Sequence, residues 1–124
     1  MKQENIIKKK SYALAISVIN LCLCMSRQHK DPFLTRQLLR SGTSIGANVR
    51  EALAETTHRD VVYKMSIALK EAKETAYLLH LMRDTKLIRA DTGAQLLKDT
   101  GEIVRLLSKM LITSRAGAKS HIDN

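Results

Sequence analysis

Four histidines, two cysteines and a serine- and threonine-rich stretch in mid-chain are the side chains of this sequence with the most direct chemical reach. His29, His58, His80 and His121 stand far apart, and no metal-ligand set assembles around them. Di-iron bundles need Glu-x-x-His motifs projecting inward from two helices, and that set is not present. Cys22 and Cys24 lie about 200° apart on a helix, so they share neither a metal nor a local disulfide there. They read as reduced core residues, which fits a cytoplasmic protein. No Gly-x-Ser-x-Gly elbow, phosphate-binding Gly-rich loop with its lysine, or triad context occurs. The chain is therefore expected to be no enzyme and to need no cofactor, metal or small-molecule substrate.

The stretch Ser41-Gly42-Thr43-Ser44-Ile45-Gly46 invites a phosphate-binding reading. Mid-helix, however, its backbone N–H groups are already used by the helix, and its hydroxyls can bond preceding carbonyls. Close helix packing at the two glycines explains it better, since each mid-helix glycine costs about 1 kcal/mol relative to alanine.

Charge is the stronger signal. Lys and Arg total 21 against 12 Asp and Glu, a net charge of +9, which makes phosphate-rich or acidic partners the first candidates. Arg36, Arg40 and Arg50 share one helical stripe with Thr43 and Ala47, roughly opposite the apolar stripe of the same helix. With Arg27 and Lys30 they form a candidate nucleic-acid-binding patch. Without aromatic platforms it would hold backbone rather than read bases. The plainer alternative is a solvated face that supplies solubility and minor ion pairs. Lys98, Arg105 and Lys109 make a similar edge later in the chain, diluted by Glu102.

These side chains must be positioned by helices. A single proline, five glycines and one phenylalanine, with no tryptophan, in 124 residues describe long helices and one domain. Four periodic segments separated by short breaks predict an all-α, antiparallel up-and-down four-helix bundle, with helices at about 4–26, 32–56, 58–84 and 90–114 and a disordered polar tail at 115–124. Asp31 before Pro32 opens the second helix as an N-cap, and Thr57 with Asp60 opens the third. Lys8-Lys9-Lys10 ahead of the apolar run Tyr12 to Met25 mimics a signal peptide, but the run is too short to span a bilayer and no small-residue cleavage site follows. It reads as a buried helix, with no membrane role.

That first helix is apolar on two sides. Ile7, Leu14, Val18, Leu21 and Met25 make one stripe; Tyr12, Ile16, Ile19 and Leu23 make another. A monomeric bundle buries only one, so the second is the candidate oligomer interface.

The run Arg40-Ser41-Gly42-Thr43-Ser44-Ile45-Gly46-Ala47-Asn48-Val49-Arg50-Glu51-Ala52 closely resembles the signature of the four-helix bundle proteins called 23S rRNA-intervening-sequence or S23 proteins. Tyr63 to Ala72 and Glu102 to Leu111 match more weakly. The family often has a glycine where this chain has Ala52, and aromatic residues where it has Val61 and Val62. The resemblance implies a bacterial up-down bundle assembled into a ring, typically a homopentamer. It extends distantly to basic pentameric accessory subunits of diversity-generating retroelements, which bind nucleic acid and a reverse transcriptase. The reading is a basic, oligomeric accessory protein that binds structured RNA; the alternative is a homo-oligomeric scaffold for a protein partner, with no nucleic-acid role.

Overall fold

A computed structural model describes the backbone of residues 2–123 and the side chains of residues 2–114. Four helices follow in order: α1 (Lys2–Arg27), α2 (Pro32–Ala54), α3 (His58–Asp84) and α4 (Ala90–Asp123). Each packs on its neighbours in the chain, and α4 closes on α1. With connections only a few residues long, that is the expected up-and-down bundle.

The core follows the three-four spacing of each helix. Ile7, Leu14, Val18 and Met25 of α1 meet Leu38, Ile45 and Val49 of α2, Leu79 and Met82 of α3, and Ile103 and Leu107 of α4, all essentially sealed from solvent. Leu34 and Leu21, placed by periodicity in the core stripes, lie at its edge, half-buried. The two glycines of α2 face α1. A Cβ on Gly42 would stand 2.8 Å from a methyl of Val18, and one on Gly46 would stand 3.5 Å from Ser11. Small residues thus oppose each other where Ser11 and Gly46, both buried, meet across the two helices. Across α2 and α3 the fully buried hydroxyls of Ser41 and Thr75 meet at 3.0 Å. Each also reaches a carbonyl of its own helix, Leu38 at 3.4 Å and Glu71 at 2.8 Å, so neither polar group is stranded.

The helix starts are those the sequence marks. Asp31 Oδ1 accepts from the Phe33 N–H at 2.8 Å with Pro32 beginning the helix, and Thr57 Oγ1 accepts from the Asp60 N–H at 3.2 Å. Two helix ends use a left-handed residue that is not glycine. His29 has φ 56° after α1 and Lys86 has φ 62° after α3. The N–H of the following residue returns to the helix in each case, Lys30 to Met25 at 3.0 Å and Leu87 to Met82 at 2.9 Å.

One boundary departs from the sequence reading. The segment read as a disordered tail continues as helix through Asp123. It contains no proline, and Ala116, Ala118 and Lys119 are good helix formers, with Gly117 alone opposing. The side chains from 115 onward lie outside the described residues.

Candidate functional site

The second stripe of α1 has no cover within the fold. Tyr12, Ile16, Ile19 and Leu23 are 57%, 44%, 40% and 49% exposed. Leu39 of α2, exposed beside them, extends the apolar surface onto the next helix. Ile19, Leu23 and Leu39 line an open groove between α1 and α2 of about 540 Å³, with Cys22 and Thr35 also in its lining and Lys30 and Arg36 present as cations. Leu39 was not singled out from the sequence. Its place next to Leu38 sets it about 100° off the core stripe, on the side facing α1, and that offset was the available signal.

The five residues of the basic patch do not form a run of bare cations. Arg40 points toward α3, where its guanidinium is shared between Glu71, at 3.1 Å, and Glu74. Arg50 lies over the ring of Tyr12, 5.6 Å from the centroid, a cation–π arrangement that joins α2 to the exposed stripe of α1. Lys30 donates from Nζ to the carbonyl of Leu87 at 2.9 Å. Arg27 and Arg36 are exposed and form no ion pair among the described residues. These pairings are not visible in sequence because the partners of Arg40 lie 31 and 34 residues away.

The Arg40 cluster has a pH signature. The hydrogen bond from Arg40 holds the Glu74 carboxyl below its ordinary value of 4.5. A carboxyl lowered in the folded state adds stability that is present above its unfolded value and is lost as pH falls through the folded value. Acidification below about pH 4.5 should therefore lower the unfolding temperature of the parent protein more than that of an Arg40→Gln variant, read by circular dichroism. Equal acid sensitivity would show the cluster to be thermodynamically idle. The effect is small, since the pair is solvent-accessible.

Cys22 is buried, with Sγ 3.5 Å from the carbonyl of Thr35, and burial pushes its thiol pKa up, away from reactivity. Glu55 and His58 have Glu-x-x-His spacing but flank the break between α2 and α3, with Glu55 in extended conformation, so they share no helix face. Among the described residues, no group of three His, Cys, Asp or Glu side chains stands together as a metal site, and no helix is long and apolar enough to cross a membrane. On α4, Glu102 turns toward α1 and accepts from Lys10 at 2.9 Å.

The chain matches the 23S rRNA-intervening sequence protein family over residues 3–109. Among solved structures it is similar to a protein of unknown function from the S23 ribosomal protein family of Bacteroides thetaiotaomicron VPI-5482, with 38% identity and a TM-score of 0.83 over 88% of this chain and 97% of that one. No curated protein matches. The matched span runs from the start of α1 into α4 and takes in the two glycines of α2 and the exposed stripe of α1; the chain belongs to the 23S rRNA-intervening sequence protein family.

Proposed function

We propose that this protein is a non-catalytic, cytoplasmic, homo-oligomeric binding protein whose ligand is structured RNA. The observation that carries the oligomer is the α1/α2 face, where Tyr12, Ile16, Ile19 and Leu23 stand exposed along α1 and the last two border a groove with the exposed Leu39 of α2. Contiguous apolar surface of this kind is the mark of a protein contact. A ring, pentameric by the family resemblance, supplies it. The RNA reading rests on the +9 charge, which multiplies with each copy in the assembly. The family name records where some of its genes lie and does not make the protein a ribosomal component.

Phosphate contact is salt-dependent in a calculable way. If about five phosphates are neutralised, affinity for a hairpin RNA should fall on the order of 100-fold between about 50 and 200 mM salt. Filter binding across that range tests it, and an affinity independent of salt would remove the electrostatic basis of the reading. A second reading, a scaffold for another protein, is favoured by one observation: Arg40, Arg50 and Lys30 are already engaged within the fold. Light scattering on the purified protein, with the absorbance ratio taken before and after nuclease and high-salt washing, separates the two. A stable oligomer that sheds nucleic acid in salt supports RNA; an oligomer free of nucleic acid throughout supports the scaffold.

A further inference from the structure

The surface that the RNA reading has not used lies on the other side of the bundle. Between α3 and α4 runs an open groove of about 760 Å³. Lys73, His80 and Arg83 line it from α3, Lys98 and Arg105 from α4, and Tyr77 stands among them, 63% exposed. Its floor is made of small and apolar groups, and no carboxylate lines it. Two acids flank it in sequence: Asp84 is paired with the groove's own Arg83, and Glu102 lies within the field of Lys98 and Arg105. Asp84 accepts from Arg83 Nε at 3.0 Å, and Glu102 is drawn to Lys10 on α1. Lys73, Lys98 and Arg105 form no ion pair among the described residues.

Helix geometry turns these residues into two rows. Lys73, Tyr77 and His80 follow one stripe of α3, and Lys98 and Arg105 follow one stripe of α4, each row spanning about 10 Å at 1.5 Å per residue. Gly101 lies between Lys98 and Arg105. A Cβ there would come within 3.4 Å of the Arg105 guanidinium, so the missing side chain leaves Arg105 room to lie over the groove. Unpaired cations on both banks, with no carboxylate in the lining between them, complement a polyanion. They repel the groove between α1 and α2, which also carries Lys30 and Arg36, so a second copy docking by that face is the poorer occupant.

We propose that the α3/α4 groove binds the phosphate backbone of an unpaired RNA segment, a loop or bulge, with one base stacked on Tyr77. The proposal rests on the RNA reading above and gives it a location distinct from the oligomer face, so that assembly and RNA binding do not compete. Tyr77, exposed between the two rows of cations, supplies an aromatic platform within the groove itself.

Fluorescence anisotropy with labelled hairpin RNAs bearing an unpaired loop tests it, using the full chain. Charge reversal of Lys73→Glu, Lys98→Glu and Arg105→Glu together should weaken binding on the order of 100-fold, and the three Gln substitutions on the order of 10-fold, with oligomer size and helix content unchanged. Tyr77→Ala should lose about 5- to 100-fold on the hairpin and little on a blunt RNA duplex, which offers no unpaired base. Arg27→Gln with Arg36→Gln should change binding by less than about threefold, since a peripheral contact adds little. The inference is overturned if the groove variants bind like the parent while the Arg27 and Arg36 pair loses affinity; the RNA reading then survives at the α1/α2 face. If the parent protein binds none of these RNAs, the RNA reading and the groove fall together.

Discussion

Ile19→Glu should convert the assembly into single chains of about the 13.9 kDa expected from the sequence while leaving the bundle folded. Ile19 is 40% exposed in the isolated chain, so a carboxylate there keeps its water and costs the fold little, roughly 0.5 kcal/mol or less. In a contact between copies the same carboxylate would be desolvated in place of an apolar contact, at a cost of several kcal/mol per interface that Lys30 and Arg36 of the same groove offset only in part, and a ring repeats that cost at every contact. Sedimentation at micromolar concentration should show the variant as a monomer with unchanged helix content, and Leu23→Glu should behave alike. Tyr63→Glu is the comparison: it lies on α3, more exposed than Ile19 and away from the proposed face, and should leave the assembly intact. A parent protein that already sediments as a monomer would refute the oligomer outright.

The largest effect on stability is expected at Gly42. Alanine there gains about 1 kcal/mol in helix propensity, yet its Cβ would sit 2.8 and 2.9 Å from the two methyls of Val18. Val18 is fully buried and β-branched, with one strongly preferred rotamer in a helix, so it cannot swing aside. Overpacking of this kind costs about 1–3 kcal/mol, and Gly42→Leu, which must place four more carbons, should exceed that range. Gly46→Ala should behave oppositely. Its Cβ would meet Ser11 at 3.5 Å, ordinary contact, leaving the propensity gain of up to about 1 kcal/mol unopposed. Urea unfolding of both variants at one protein concentration decides the matter. Combining Gly42→Ala with Val18→Ala should recover part of the loss, as expected of two residues that share one space. If both glycine variants are stabilised alike, the close approach of α1 and α2 is not what keeps Gly42 a glycine.

Much of the bundle was legible because helices announce their own period. The core stripe of α1, all but its edge residue Leu21, the caps at Asp31 and Thr57 and the packing role of the two α2 glycines follow from spacing and residue type, and the structure has them in place. The helix ends were less legible. His29 and Lys86 adopt the left-handed conformation with no glycine to mark it, and the continuation of α4 past Ser114 has no apolar periodicity to advertise it. The candidate surfaces were legible only in halves. A single helix shows that Arg40 is outward, but that Glu71 and Glu74 meet it depends on the register of α2 against α3, which the buried Ser41 and Thr75 help set. Lys98 and Arg105 could be read as an edge of α4. That they face Lys73 and Tyr77 across a groove required the neighbouring helix.

The bond from Lys30 to the carbonyl of Leu87 joins the α1/α2 connection to the α3/α4 connection, at the same end of the bundle. At the opposite end the α2/α3 connection is held by the local Thr57 cap, and α2 and α3 are tied there only by the partly exposed Lys64–Glu51 pair at 3.4 Å, a weak constraint, among the described side chains. Opening of the native state is therefore polarised. Amide hydrogens in the first turns of α3 and the last turn of α2 should exchange through local fraying, whereas those flanking Lys30 and Leu87 should be released only when two helical hairpins separate, on the slow timescale of sub-global unfolding.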